Sequence, residues 1–502
     1  MDMLPYAVVE GDAFKRLNFC DPLGPRRYRL KSEKFFRTTL MPATYDRIEQ
    51  KVKQQLSTAT WISFTTDVWT NPPKTCSLLS FTGHFIDGHV RRKLVLSAMP
   101  LQEDHTGVYL ASKLSEAIMQ WEIQSKVHVG VRDSAANMIS AMRHANICHV
   151  SCTAHTLQLV LHDAIFTQTS VEAVVKKARK IVSHFRHSEQ ACRHLKACQA
   201  SREVSEHKLI QDIETRWNST FLMLERLVEQ QKAINLYSVE RGGIETLSTA
   251  DWELVGRVVK ILQPFYAATL ELCADDACIS IIIPLVAMLQ GKLQTTTEDR
   301  GLLQMKAALR DSLHRRFAPL KSLPPVAAAT ILDPRFKDAY FDVPEKTAAV
   351  DEIKRFLHST HEESTSTTAD TDVDGDHVPQ LPPAPAAETD LWAEHDSRGM
   401  QSVADVVDIA VPQYEQQLTA YLAEPRVPRQ TNIYSYWNNS QFPELEPAAK
   451  KYLSAPQTSV ASEQLFSSAG QLYADRRSNL LGENAEKLLF LAYNIRLLDF
   501  SY

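Results

Sequence analysis

Apolar positions recur at helical spacing near the start of the chain, switch to alternation, and then return to helical spacing. Tyr45, Ile48, Val52 and Leu56 share one face of a predicted amphipathic helix. From about Thr58 to Ala164 the period changes. Ile62 and Phe64 alternate with Ser63, Thr65 and Asp67, which is strand spacing. Cys76 to Ile86 and His89 to Ala98 are two further strand candidates, joined by the turn pair Asp87-Gly88, so an antiparallel meander is expected. Leu110, Leu114, Ala117, Ile118 and Trp121 fall on one helix face. Val127, Val129 and Val131 alternate again and end in Arg132-Asp133-Ser134, where a helix opens. A short strand at Cys148 to Cys152 precedes a helical stretch from His155 to Ile165. Strands and helices in this order predict an α/β layer with a mixed sheet.

From about Ser170 to His358 the chain reads as nearly all helix, with Leu224, Leu227, Ala233 and Ile234 in one pattern and Leu254, Val258, Ile261 and Leu262 in another. Composition then breaks. From about Ser359 to Thr389 the chain is Ser, Thr, Asp, Pro and Ala with few large apolar residues, which predicts a disordered linker. Folding resumes near Trp392. The last segment, Asn484 to Leu498, carries Leu488, Leu489, Leu491, Ala492 and Ile495 on a stripe wider than a two-stranded seam. That stripe serves either as a dimer interface or as a cover for the chain's own core.

Composition narrows the classes. The 502 residues include 55 Lys and Arg against 60 Asp and Glu, a net charge of −5, so any nucleic-acid contact must come from local patches. With 44% hydrophobic and 23% charged residues, wholesale disorder and fibrous classes are excluded. Eight cysteines are too sparse for a disulfide framework. The N-terminus lacks a basic flank leading into an apolar core, and the longest apolar run, Cys278 to Leu289, is too short to span a membrane. A reducing, intracellular setting is the expectation. Arg26, Arg27, Arg29, Lys31, Lys34 and Arg37, with Tyr28, Phe35 and Phe36 among them, form either a solvated basic face or a phosphate-contacting arm. Lys176-Lys177-Ala178-Arg179-Lys180 is read as a solvated helix face.

Candidate chemistry centres on carboxylates. Asp67 and Asp133 each close a predicted strand. If those strands are neighbours, the two acids meet at one sheet edge. Converging carboxylates with a third acid suit a pair of divalent ions for phosphoryl transfer, and Mg²⁺ accepts few carboxylates while keeping its waters. Asp133 equally suits a helix N-cap and Asp67 a strand end, so spacing alone leaves both roles open. Cys148, Cys152 and His155 lie close together, yet all are local and no Cys-x2-Cys with paired histidines follows, which argues against zinc and for a structural role. Arg216 beside Trp217 offers a charge for phosphate and a flat ring for a base, or a core Trp with a snorkelling Arg.

Several strings carry a resemblance. Thr65-Thr66-Asp67-Val68-Trp69-Thr70, Arg132-Asp133-Ser134-Ala135-Ala136-Asn137-Met138, Cys152-Thr153-Ala154-His155, Thr215-Arg216-Trp217-Asn218-Ser219-Thr220, Ala329-Thr330-Ile331-Leu332-Asp333-Pro334-Arg335-Phe336-Lys337 and Ser459-Val460-Ala461-Ser462-Glu463-Gln464-Leu465-Phe466-Ser467-Ser468-Ala469-Gly470 occur in the order of hAT-superfamily DNA transposases. Over about Leu4 to Leu498 the chain resembles the zinc finger BED domain-containing proteins derived from them. The resemblance implies an α/β plus all-α protein: an RNase H-like mixed sheet interrupted by a large helical insertion, with a C-terminal hAT dimerisation region. It divides the chain into a helical N-terminal region over 1–57, a first RNase H-like part over 58–220, a helical insertion over 221–358, a linker over 359–390, return helices over 391–433 and a dimerisation region over 434–502.

The same resemblance implies that Asp67, Asp133 and Glu463 form a catalytic and metal-binding triad for Mg²⁺ or Mn²⁺. It implies that Trp217, with Arg216, contacts DNA, and that Cys152 and His155 are the family's Cys/His motif. Three departures stand out: no BED finger precedes the matched segment, Gln464 replaces an Arg common after the glutamate, and Arg132 precedes Asp133 in place of a small polar residue. The implied function is a domesticated nuclear protein that forms homodimers or higher oligomers and acts on DNA or chromatin, with no membrane association. An active metal-dependent transposase is the alternative. A SUMO ligase-type activity is a remoter one, unsupported by any RING-type Cys/His array.

Overall fold

The computed structural model describes residues 9–10, 31–71, 73–214, 216–294, 301–366, 411–473 and 482–498. Arg26, Arg27, Tyr28 and Arg29 lie outside them, as do residues 367–410 of the expected linker and return region.

The alternating segment forms the sheet. Its strands are β1 (Ile62–Thr65), β2 (Val68–Thr70), β3 (Ser77–Asp87), β4 (Val90–Leu101), β5 (Val127–Arg132) and β6 (His149–Ser151). β4, β3 and β1 are antiparallel neighbours, and β5 and β6 extend the sheet in parallel from β1. The mixed sheet and the meander expected from the sequence are both present. Gly88 takes a positive φ of 55° in the turn between β3 and β4, where Asp87 pairs with Val90. Gly130 in β5 is required by packing. A Cβ there would stand 2.7 Å from the Phe64 ring, which stacks at 4.8 Å on Phe81 in the core.

One sheet face is covered by α1 (Met41–Thr58), α2 (Gly107–Gln120) and α3 (Ala136–His144). Ile48, Val52 and Leu56 of α1 are buried there, as their spacing predicts, while Tyr45 lies half-buried against Phe490 at 4.9 Å. Thr106 caps α2 by accepting from the Tyr109 N–H.

The helical part follows directly. It comprises α4 (Thr153–Ile165), α5 (Thr169–Arg186), α6 (Glu189–Ser201), α7 (Trp217–Glu229), α8 (Gln231–Arg241), α9 (Thr249–Leu272), α10 (Ile282–Lys292), α11 (Leu303–Phe317), α12 (Pro324–Leu332) and α13 (Val343–Ser366). α12 is an Ala-rich helix buried from Pro325 to Leu332, apolar all round and so enclosed by its neighbours. α13 runs to Ser366, past the composition break at Ser359, because an established helix extends at little cost per residue. The basic run on α5 is tied down by ion pairs: Lys176 to Glu172, Lys177 to Asp251, Arg179 to Asp212 and Glu214, and Lys180 to Glu245. Among the described residues, no helix is long and apolar enough to cross a membrane.

The chain then returns through α14 (Gln413–Ala423), α15 (Ile433–Asn438) and α16 (Glu446–Tyr452) to α17 (Val460–Leu472) and α18 (Gly482–Asn494). The string Leu332 to Lys337 turns out to be a fastener for this return. Asp333 is fully buried and held by Arg335 through Nε at 2.9 Å and a terminal nitrogen at 2.7 Å, and by the Ser280 hydroxyl at 2.6 Å. Lys337, also buried, donates to the carbonyls of Tyr421 and Glu424 at the C-terminal end of α14 and lies 4.3 Å from the Tyr421 ring centroid.

α18 resolves the two readings of the C-terminal stripe. Ala485, Leu489, Phe490, Leu491 and Ile495 are buried within the chain's own core, and Asn494 donates to the Val95 carbonyl of β4 at 2.6 Å. Phe490 stacks on Trp121 at 5.8 Å. The stripe is the cover of the sheet. Leu489→Asp is therefore expected to cost several kcal/mol by placing an unpaired charge in a site with no exposure. Soluble yield and the far-ultraviolet circular dichroism of the product check this; a folded, soluble monomer would contradict it.

Candidate functional site

The site grows from an interruption in the sheet. β1 and β2 hold one register against β3, with Thr65 opposite Thr82 and Val68 opposite Leu79. Thr66 and Asp67 occupy the gap. The Thr66 N–H donates to Val131 of β5 at 3.0 Å, and the Ser80 N–H donates to the Asp67 carbonyl at 3.0 Å. The Asp67 N–H finds the Ser80 hydroxyl at 3.0 Å instead of a main-chain carbonyl. This break sets Asp67 apart from the regular strand; the sequence reading placed it at a simple strand end.

Parallel pairing does the rest. Thr65 lies beside Val131, so Asp67 and Asp133, each two residues further along, leave the same end of the sheet. Burial pushes the Asp67 carboxyl up to about 7, and the charge of Asp133 adds to the rise. The Val68 N–H, 2.8 Å from Asp67 Oδ1, opposes it, and Glu463 adds a smaller upward push. No Lys, Arg or His enters this balance. Asp133 Oδ1 accepts from the Ala135 N–H at 3.2 Å, but the N-cap of α3 is Ala135, without a side-chain cap, so Asp133 turns the chain into the helix and is not its N-cap.

Arg132 does not close on the acid pair. Its guanidinium turns toward β6, where it donates to the Ser151 hydroxyl at 3.0 Å, meets His149 Nδ1 at 3.0 Å and reaches Asp133 through the main-chain carbonyl at 2.5 Å.

Glu463 sits in the first turn of α17 and is exposed. The helix is seated by Leu465, Phe466, Ala469 and Leu472 against Leu78, Val95 and Ala98, with Phe466 stacked on Trp69 at 6.1 Å. Gln464 accepts from Lys93 at 3.1 Å. Glu463 is near enough to act on Asp67, yet among the described residues no three His, Cys, Asp or Glu side chains converge as a metal shell. Asp67 thus feels the charges of both other expected acids, Asp133 more strongly than Glu463.

What holds Glu463 there is a buried segment that sequence reasoning missed. Every residue from Tyr452 to Ser459 is buried. The Ser454 hydroxyl bonds Ser63 of β1 at 2.7 Å. The Ala455 carbonyl accepts from Ile279, and the Gln457 carbonyl accepts from Thr153 at the start of α4. The Ser459 N–H donates to the Cys152 sulfur at 3.3 Å. Arg91 donates to the Ala277 and Asp275 carbonyls at 2.7 and 2.6 Å and approaches Ala455 at 3.5 Å. Ser454 to Ser459 is a run of small and polar residues without a helix or strand period, so no sequence signal marks it as buried.

Cys152 is thus a buried anchor for that segment, its thiol pushed up by burial, while His155 is exposed. Arg216 is exposed at the N-cap of α7. Trp217 is only 5% exposed; its ring packs against Phe221 and Tyr266, and its main-chain N–H donates to Gln158 Oε1 at 3.2 Å.

Comparison with known proteins follows this division. The ZBED1 RNase-like domain matches residues 65–156, the ZBED1 RNase-like helical domain matches 150–261, and the hAT family C-terminal dimerisation region matches 417–495. The human zinc finger BED domain-containing protein 4 is 28% identical over 519 aligned residues, covering 100% of this chain and 43% of that protein. The chain is thus similar to zinc finger BED domain-containing proteins over its full length and carries a match to the hAT C-terminal region. The human zinc finger BED domain-containing protein 6 is 28% identical, with 100% of this chain and 55% of the relative covered. The zinc finger BED domain-containing protein RICESLEEPER 2 of Oryza sativa subsp. japonica is 25% identical, with 97% and 71% covered. The chain spans about half the length of the two human relatives. Within the chain, Asp67 and Asp133 fall in the RNase-like match, Trp217 in the helical match and Glu463 in the dimerisation match.

The raised Asp67 carboxyl has a consequence for stability. Its folded value lies above the unfolded one of 3.8, so the native state binds more protons between the two. Stability from this group is full below about pH 4 and is lost as pH rises through about 7. Asp67→Asn removes that term. With chelator present, the variant is expected to gain thermal stability over wild type as pH rises from about 5 to about 8. His84 and His128, held neutral by burial, are common to both proteins and cancel in the difference. Melting curves across that range check this; a difference independent of pH would contradict it.

Proposed function

We propose that the protein is a domesticated, non-transposing hAT relative that self-associates and acts in the nucleus on DNA or chromatin. The observation that carries this reading is the full-length similarity to zinc finger BED domain-containing proteins, joined to a match with the hAT C-terminal dimerisation region. Self-association is supported by the match to the dimerisation region. Because the α18 stripe is core, the contact between copies uses other surfaces. The action on DNA and the nuclear setting are inferred from the transposase-derived relatives.

A specific observation favours a second reading, a metal-dependent transposase. Asp67 and Asp133 leave the same sheet end, and two neighbouring carboxylates suit a divalent ion; Arg132, whose charge reaches Asp133, turns its guanidinium to Ser151 and His149. Asp67 and Asp133 would hold Mg²⁺ or Mn²⁺ there, and such an ion supplies stabilisation of developing charge on phosphoryl oxygens. Their own contribution is to orient the ion at the sheet end, with Asp67 kept in place by Val68 and Asp133 by Ala135.

Calorimetric titration with Mn²⁺ and Mg²⁺ separates the readings, using wild type, Asp67→Ala, Asp133→Ala and Glu463→Ala. The non-transposing reading predicts binding that depends on Asp67 and Asp133 and persists in Glu463→Ala, or no binding at all. Loss of binding in all three variants, together with metal-dependent nicking of duplex DNA, would establish the transposase instead.

A further inference from the structure

The helical region contains a cavity that the acid site does not use. It lies between the end of α5, α6 and the segment Glu206 to Gln211, and its volume is about 630 Å³. That falls within the usual size of a ligand-binding cleft. Val182, Phe185, Leu195 and Leu209 give it an apolar floor. Arg186, Arg193, Lys196 and Lys208 stand among its lining, against Glu189 and Glu206.

The cavity is built rather than left over. Gln199 is 2% exposed; its amide donates to the His207 carbonyl at 2.9 Å and to the Gln230 side chain at 2.7 Å. Gln230, with no exposure, donates in turn to the Ser205 carbonyl at 3.0 Å. Arg226 donates to the Lys208 carbonyl at 2.6 Å. Three carbonyls of one connecting segment are thus pinned by buried or half-buried side chains, which fixes the wall opposite α6.

The charge of the lining is one-sided. Lys196 and Glu206 pair with each other at 3.3 Å. Glu189 is the first residue of α6, where the helix dipole favours an acid. His207 pairs outward with Glu229 at 2.6 Å. Among the described residues, Arg186, Arg193 and Lys208 are exposed and have no carboxylate partner. A neutral apolar ligand would leave these cations unused. A nucleic-acid backbone would meet the cations and leave the apolar floor bare.

We propose that this cavity docks an acidic peptide segment, with one large apolar side chain on the floor and carboxylates against Arg186, Arg193 and Lys208. Residues 388–396 of this chain, Glu-Thr-Asp-Leu-Trp-Ala-Glu-His-Asp, have that chemistry and supply a ready synthetic probe. The test is fluorescence anisotropy of the labelled peptide on the full chain, at low and high salt, with duplex DNA as a competitor. Wild type is expected to bind saturably, more weakly at high salt. The double variant Arg193→Glu, Lys208→Glu changes only exposed positions and is expected to weaken binding at least tenfold. Cys192→Trp places a ring at the cavity lining without altering charge and is expected to weaken binding as well. Binding that ignores both variants, or its absence from a folded wild type, overturns the proposal. So does a duplex that binds the same rim and displaces the peptide while Cys192→Trp leaves peptide binding unchanged, since the rim would then be a phosphate contact.

Discussion

The buried segment from Tyr452 to Ser459 is the constraint on which the rest of the arrangement depends. Eight consecutive residues are withdrawn from water in a stretch without strand structure, so their backbone groups must find partners elsewhere. Backbone groups find them in the helical part through Ile279 and Thr153 and in the thiol of Cys152, while the Ser454 hydroxyl ties the segment to the sheet through Ser63. The sheet, the insertion and α17 are therefore joined by hydrogen bonds that no single one of them could satisfy alone. Arg91, reaching from β4 to the carbonyls of Asp275 and Ala277, extends the same clamp with charge-assisted bonds.

That clamp sets where Glu463 stands. α17 begins at the end of the buried segment, and its apolar side is stacked on the sheet through Phe466 and Trp69. Asp67 and Asp133 are positioned by something different, the parallel register of β1 and β5. The acid pair is thus fixed by main-chain pairing, while the third acid is fixed by packing and loop anchoring. The loop therefore ties the placement of Glu463 to the helical part as well as to the sheet. Burial, with the charge of Asp133 beside it, raises the half-buried Asp67 carboxyl well above the usual carboxylate range.

Period was the most legible feature. The alternation of Ile62, Phe64, Val129 and Val131 placed the strands, and the helical stripe of α1 placed Ile48, Val52 and Leu56 in the core. The meeting of Asp67 with Asp133 followed once β1 and β5 were taken as neighbours. Less legible were features that depend on partners distant in sequence. Trp217 looked equally fit for a base or a core, and only the positions of Phe221 and Tyr266 decide where its ring packs. The basic run on α5 read as solvated, whereas Asp251, Asp212 and Glu245 come to it from other segments. Ser454 to Ser459 carries no periodic signal, and nothing local shows that Ser63 and Cys152 await it. Lys337 is a similar case: a lysine beside Asp333 suggests charge pairing, yet its ammonium caps a helix formed more than eighty residues later.

The fate of the C-terminal stripe constrains how copies of this chain meet. An apolar helix face of this width is an interface only if the single chain leaves it uncovered. Here α18 spends it on β4, α1 and α2, and Asn494 satisfies a carbonyl of β4 as well. The matched dimerisation region nonetheless extends over 417–495, so it includes α14, α15 and α16 in addition to the helices on the sheet. α14 is itself pinned by Lys337 to the helical part. The region that the family uses for association is therefore also the region that closes this fold, and its outward faces, not its apolar stripe, are what remain available to a second copy.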